Sequence, residues 1–202
     1  MRVSLKWLKK YVELPENLTP KQIAYDLTLR TVEVEDVEDV KEKFNNIVVG
    51  KILEVKQHPN ADKLRICIVD IGESEPVQIV CGGSNLYEGE HVVVSKPGAY
   101  VVWHGEGEPV KIEKTKMRGE SSYGMICGAT EVYLDQLFPP KTEREIVDLT
   151  GIKCKPGDEI ADVIYMDDVV LEIDNKSLTN RPDLWGHYGV ARELAAIYDL
   201  KL

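Results

Sequence analysis

Apolar residues in the first forty positions recur every three or four residues, which is the spacing of short helices. Ser4 predicts the start of one helix, which Pro15 ends. Thr19 and Pro20 predict the start of a second helix, because threonine is a good helix cap and proline favours the first helical position. The valines that follow, as far as Val40, are mixed with acidic residues and predict a strand.

From Ile47 onwards the apolar residues alternate with polar ones, as they do in half-buried strands. Short segments with this pattern are each followed by a turn that contains glycine or proline, and they cover residues 47–55, 64–71, 77–81, 91–95 and 110–117. Five or so short strands with such turns favour a small closed β-barrel over an open sheet.

After about Leu149 the pattern changes again. Residues 169–173 predict a strand, residues 189–200 predict a helix, and a polar loop lies between them. Neither end of the chain carries enough apolar side chains for a core of its own. We therefore expect the two ends to form one discontinuous domain, into which the barrel is inserted.

The predicted fold class is α+β: an all-β barrel inserted into a small, discontinuous, helix-rich domain. The predicted boundaries place the first half of that domain at residues 1–40, the barrel at residues 41–150 and the second half at residues 151–202.

The charge of the chain argues against simple nucleic-acid binding. The 202 residues carry 25 Lys and Arg against 35 Asp and Glu, a net charge of −10. Divided at residues 40 and 150, the three segments have charges of −2, −4 and −4. Because phosphate binding draws most of its affinity from lysine and arginine, contact with RNA has to depend on a local basic patch or on another chain.

The N-terminus lacks the apolar core of a secretory signal, and no stretch is long and apolar enough for a membrane span, so we expect a cytoplasmic protein with no membrane partner. The four cysteines do not form the paired pattern of a zinc site. We expect reduced, mostly buried thiols and no metal site.

Three sequence blocks, at residues 49–64, 78–99 and 116–127, carry most of the information. In this order and spacing they resemble the tRNA-binding domain that is attached to several aminoacyl-tRNA synthetases and also occurs in free-standing tRNA-binding proteins. The resemblance implies an OB-fold barrel and a tRNA partner.

The candidate tRNA contacts lie in the first and third blocks and just before the third. Lys114, Lys116 and Arg118 fall at spacing two, so on one strand they would share a face and form the one concentrated basic stripe. This stripe leads to Ser121 and Ser122, whose hydroxyls could reach phosphate or sugar oxygens. The first block adds three further candidates: His58, Asn60 and Lys63.

Each candidate has a structural alternative. His58 fits a turn residue better than a base contact, the basic stripe could be a solvated strand face, and the two serines could close their loop through local hydrogen bonds. Candidate aromatic stacking residues are Tyr87, Tyr100, Trp103 and Tyr123, without a specific pattern.

The region after the barrel narrows the resemblance. Residues 170–183 contain Asn180, Arg181, Pro182 and Asp183, which we interpret as a structural motif. Together with the helix that follows and the opening residues 4–12, they resemble the N-terminal region of the phenylalanyl-tRNA synthetase β-subunit family, in which a tRNA-binding barrel interrupts the first domain. The resemblance implies that this chain is an N-terminal part of a longer subunit of a heterotetrameric ligase.

In that family the ligase uses ATP and magnesium, and its adenylation chemistry belongs to the α subunit. The expected partners are therefore tRNA, the α subunit and the remaining β-subunit domains, and not DNA. This segment shows no catalytic residue, cofactor site or phosphate-cradling glycine motif. Two alternatives remain: a free-standing tRNA-binding or chaperone-like module, and a mainly structural scaffold at a subunit interface.

Overall fold

The computed structural model describes the backbone of residues 1–202 and every side chain except that of Ser177. The strands of the described chain are β1 Arg2–Ser4, β2 Val34–Asp39, β3 Ile47–Gln57, β4 Arg65–Asp70, β5 Val77–Cys81, β6 His91–Ser95, β7 Tyr100–Val102, β8 Pro109–Lys111, β9 Thr115–Met117, β10 Glu120–Ser122, β11 Met125–Ile126 and β12 Val169–Ile173. The α-helices are α1 Leu5–Leu8, α2 Pro20–Arg30, α3 Ile160–Val163 and α4 His187–Tyr198.

The chain divides into two compact units. The end unit contains Met1–Lys41 and Asp167–Leu202, and the barrel unit contains Glu42–Met166. Residues 151–166 thus belong with the barrel, beyond the predicted boundary at 150. They are held there by a pair of backbone hydrogen bonds, since Val49 N–H donates to Asp158 O and Gly157 N–H donates to Val49 O, both at 2.9 Å.

The end unit is built from both ends of the chain. Its antiparallel sheet has the order β1-β12-β2, so the central strand comes from the C-terminal segment and both edge strands from the N-terminal segment. The core likewise mixes the two, with Leu8 and Leu27 packed in the same fully buried cluster as Leu171 and Leu194. Because burial of apolar surface is the main stabilising contribution to folding, each segment depends on the other.

Both predicted helix caps are confirmed. The Ser4 hydroxyl accepts a hydrogen bond from Trp7 N–H at 3.0 Å, and the Thr19 hydroxyl accepts one from Gln22 N–H at 3.2 Å. The first helix is shorter than predicted, because α1 ends at Leu8. Strand β1, which precedes it, is too short for its alternation to be recognised in the sequence.

The barrel is five-stranded and antiparallel, in the order β11-β6-β3-β4-β5. It is nearly closed beside β5, where Tyr123 N–H donates to Gln78 O at 2.9 Å. Gly50 makes tight packing possible inside it, since an added Cβ would lie 2.6 Å from Val94 and 2.7 Å from Val69 side-chain atoms. The predicted OB-fold barrel within an α+β protein is confirmed.

The prediction of one strand over residues 110–117 is wrong. Strand β8 pairs with β7, whereas β9 pairs with β10, so two different hairpins replace it. Ile112 lies between them and turns inward: its N–H donates to Ala99 O at 2.8 Å and it is 7% exposed. The buried isoleucine therefore ends the first hairpin and redirects the chain.

The cysteines are free thiols, as predicted, and Cys67, Cys81 and Cys127 are buried. Burial raises the pKa of Cys67 and Cys127 to about 12 and that of Cys81 to about 11, so these thiols are inert near neutral pH. Across the described residues, no helix is long and apolar enough to span a membrane.

Candidate nucleic-acid interface

The candidate residues collect at one region of the barrel. Strands β4 and β5 are its second and third strands in chain order, and in OB-folds this face and the loops beside it bind oligonucleotides. The loop before β4 (residues 58–64) and the long connection between β6 and β11 (residues 96–124) are here called the rim loops. All eight sequence-predicted tRNA contacts lie in the two rim loops.

His58 joins the two rim loops. Its ring is 2% exposed, and its Nε2 lies 3.1 Å from Met117 O, while its Nδ1 accepts a hydrogen bond from Asn60 N–H at 3.0 Å. This arrangement requires the proton on Nε2, because Nδ1 is already an acceptor. Asn60 adds a hydrogen bond from its side-chain amide to Arg118 O at 3.1 Å. His58 is thus a buried turn residue and not a surface base contact.

The two serines have different environments. Ser122 is 2% exposed, and its hydroxyl accepts from Val80 N–H at 3.0 Å and donates to Gly124 O at 2.9 Å. Ser122 therefore closes the loop through local hydrogen bonds and has no hydroxyl at the surface. Ser121 is exposed, so its hydroxyl remains a candidate contact.

The predicted basic stripe on one strand face is wrong, because only Lys116 lies in a strand. Lys114 precedes β9, and its ammonium group lies 4.6 Å from the centre of the Tyr123 ring. Arg118 lies in the β9–β10 turn at φ 49°. Lys114 and Lys116 instead line a shallow groove of about 440 Å³ with Ser121 and Tyr123.

Lys63 lies in a second basic site that the sequence only partly indicated. It lines a polar pocket of about 360 Å³, here called the cationic pocket, together with Asp62, Arg65, Ser84 and Arg144. Arg65 is two residues from Lys63, a spacing that could have been noticed. Arg144 is far away in the sequence, and only the fold brings it to this site.

An apolar cavity of about 640 Å³ adjoins both basic sites. It shares Gly82, Gly83 and Arg144 with the cationic pocket, and Thr115 and Ser122 with the shallow groove. Its lining includes the indole of Trp103, one of the candidate stacking residues. The two basic sites and the cavity form a continuous series of depressions beside β5.

Glu131 is a carboxylate in the wall of this cavity. It accepts a hydrogen bond from Gly128 N–H at 2.7 Å, and burial raises the pKa of its carboxyl above the ordinary value. An acceptor in a mostly apolar wall favours an occupant that offers N–H groups over an anionic one.

The Asn180–Asp183 motif is an ion-pair centre in the end unit. The Arg181 guanidinium donates to both carboxylate oxygens of Asp183 and to Glu193, each at 3.0 Å, and Arg192 donates to Asp183 at 2.5 Å. The Arg181 hydrogen bonds lower the pKa of Asp183 to about 2. These contacts join the turn Pro182–Leu184 to helix α4.

Within the described part of the chain, no three His, Cys, Asp or Glu side chains are grouped so as to hold a metal ion.

A five-stranded antiparallel barrel with the strand order β11-β6-β3-β4-β5 belongs to the oligonucleotide-binding fold class. Residues 47–151 match the family described as "Putative tRNA binding domain". The chain belongs to this family.

The chain is also similar, over its whole length, to bacterial phenylalanine–tRNA ligase β subunits. It is 40% identical to that of Staphylococcus epidermidis over 100% of this chain, and 41% identical to that of Halalkalibacterium halodurans over 98%. It spans about a quarter (24%) of the length of these curated relatives. Among solved structures it is similar to the CsaA chaperone protein from Picrophilus torridus, with a TM-score of 0.39 and 16% identity over 57% of this chain and 90% of that one.

Proposed function

We propose that this chain is the N-terminal accessory region of a phenylalanine–tRNA ligase β subunit, and that its barrel binds tRNA during ATP-dependent aminoacylation. The observation that carries the proposal is the similarity over the whole chain, at 38–41% identity, to the β subunits. The end unit and the barrel both fall within this match.

The division of labour follows from the family of the relatives. The candidate interface offers lysine, arginine and hydroxyl groups, which suit contacts with the phosphates of tRNA. We propose that adenylation with ATP and magnesium takes place on the α subunit of a cytoplasmic heterotetramer. The partners of this chain are then tRNA, the α subunit and the rest of the β subunit.

A scaffold role is the second candidate, and the net charge of −10 favours it. Acidic faces repel RNA, so a barrel with only local basic sites could serve mainly in subunit contacts. A free-standing tRNA-binding or chaperone-like module is less favoured, because the similarity extends beyond the barrel into the end unit.

Titration of tRNA into the 202-residue chain, followed by fluorescence anisotropy, distinguishes RNA binding from the scaffold role. We expect binding that weakens steeply between about 50 mM and about 200 mM salt, because each phosphate contact releases counterions. The variant Lys114→Gln/Lys116→Gln is expected to bind tRNA more weakly than wild type. The control is Lys153→Gln/Lys155→Gln, which removes the same two positive charges elsewhere on the surface. Absence of binding at the lowest salt concentration would contradict a direct tRNA contact and favour the scaffold role.

The assignment to a ligase subunit has a separate test. Two versions of the β subunit from which the chain derives, one complete and one lacking this region, are each assembled with the α subunit. We expect phenylalanylation without the region to lose kcat/KM for tRNA while amino-acid activation is retained. Equal kcat/KM for tRNA in the two assemblies would contradict an accessory role in aminoacylation.

A further inference from the structure

The cationic pocket concentrates positive charge in an acidic part of the protein. Lys63, Arg65 and Arg144 line it, and Asp62 is the one acidic side chain in its lining, so its local charge is +2. Residues 41–150 together carry −4. None of the three cations forms an ion pair with another described side chain. Unpaired cations that converge on one polar pocket are an arrangement suited to an anion.

Arg65 is held in place by backbone carbonyl groups. Its NH1 donates to Asp62 O and Leu64 O, both at 3.1 Å. These bonds use one nitrogen of the guanidinium, and the other two nitrogens have no acceptor within the described chain. A guanidinium that is fixed at one edge and open at the other is preorganised for two-point binding of a phosphate.

Arg144 reaches the pocket from a constrained backbone position. Its φ is 59°, in the left-handed region that costs an L residue about 1 kcal/mol. Ser84 holds this segment in place, because its N–H donates to Arg144 O at 3.1 Å and its hydroxyl donates to Glu143 O at 3.2 Å. The side chain of Arg144 is exposed.

We propose that Lys63, Arg65 and Arg144 form a phosphate-binding pocket that holds one backbone phosphate of the bound RNA. The adjoining cavity favours RNA over a free phosphate, because it shares Arg144 with the pocket and offers mainly apolar surface to the attached nucleoside. The proposal rests on the proposed tRNA-binding function. It supplies a phosphate contact in place of the basic stripe that the sequence predicted and the structure does not contain.

The test compares two double variants that remove the same charge. Lys63→Gln/Arg144→Asn removes two pocket cations, and asparagine is chosen because it tolerates the left-handed backbone at position 144. Lys153→Gln/Lys155→Gln is the matched control outside the pocket. We expect the pocket variant to bind tRNA about tenfold more weakly at about 100 mM salt, with a salt slope smaller by about one unit, and the control to stay within about twofold of wild type.

Arg65→Lys provides a second variant, which retains the charge but loses the planar fork. We expect it to weaken tRNA binding by about threefold to tenfold, because a lysine cannot make the two-point contact. Urea unfolding of every variant shows whether the barrel remains folded. Binding by Arg65→Lys that equals wild type would contradict the two-point contact.

The outcomes separate this proposal from the proposed function. If the wild-type chain binds tRNA and the pocket and control variants weaken binding equally, the phosphate-binding role of the cationic pocket is overturned and the proposed function is not. Absence of wild-type binding at low salt would overturn both. Competition arms with inorganic phosphate and with ATP identify the source of the phosphate, and pocket-dependent binding of ATP that is tighter than binding of tRNA would overturn the RNA assignment.

Discussion

Glu90 is a fully buried carboxyl group in the loop before β6. It accepts hydrogen bonds from the Asn85 amide at 3.3 Å and from Tyr87 N–H at 3.2 Å. Burial raises its pKa from 4.5 to about 7, and nearby Asp148 adds to the increase. Since the folded protein favours the neutral form, the stability that this group contributes is present below about pH 4.5 and is lost as the pH rises through about 7.

We therefore expect the free energy of unfolding to fall by up to about 3 kcal/mol between pH 4.5 and pH 8 through Glu90, and this dependence to be lost in Glu90→Gln. Urea unfolding at a series of pH values measures it. Glu108→Gln, at an exposed position, is the control and should retain the wild-type dependence. An unchanged pH profile in Glu90→Gln would show that another group titrates in this range.

The sequence identified candidate contact residues but not which of their side chains reach the surface. Lys63 and Lys116 were predicted and are exposed, whereas His58 and Ser122 are buried. The difference arises because hydrogen-bonding capacity is visible in a sequence, but the partner that uses it is not. Arg144 was missed for the same reason, as its position depends on a contact with Ser84, sixty residues earlier.

His58 maintains the contact between the two rim loops. In His58→Ala, the carbonyl of Met117 and the N–H of Asn60 lose their partner, and we expect a cost of about 2 kcal/mol in stability. Hydrogen exchange of residues 117–121 should become faster in the same variant. Lys63→Ala, at an exposed position of the same loop, is expected to change the free energy of unfolding by less than about 0.5 kcal/mol. A loss as large as that of His58→Ala would contradict a specific stabilising role of the His58 hydrogen bonds.

Helix α4 packs against the turn of the Asn180–Asp183 motif through Gly189. A Cβ at this position would lie 1.8 Å from Asp183 O, which is backbone and cannot rotate away. We expect Gly189→Ala to destabilise the protein by about 2 kcal/mol or more in urea unfolding. Gly151→Ala is the control, since nothing lies within 4 Å of its added Cβ, and equal effects of the two substitutions would contradict the packing argument.

Elements with local signals were predicted best. Caps and proline identified α2, and strands β5 and β6 have the predicted bounds. Strands β8 and β9 were merged into one predicted strand because the alternation continues through residues 110–117. The chain reverses at Ile112, whose side chain is buried. Strand pairing over long separations has no local signal in the sequence.

The insertion of the barrel into the end unit has a direct consequence for folding. The last residues of the N-terminal segment and the first residues of the C-terminal segment of the end unit lie side by side. Val40 N–H donates a hydrogen bond to Asp168 O at 3.0 Å. A short flexible linker in place of Glu42–Met166 can therefore join the two halves without straining the sheet. We expect this deletion to give a folded end unit with one cooperative unfolding transition in circular dichroism.

Removal of Asp167–Leu202 should have the opposite effect, because it takes away β12, the central strand between β1 and β2, and buried residues such as Leu171 and Leu194. We expect Met1–Lys41 to lose its protection from hydrogen exchange in this variant while the strands of the barrel retain theirs. The two deletions thus test the domain boundaries from both sides. A barrel that unfolds together with the end unit would show that the two units form one cooperative system and not an insertion between independent folds.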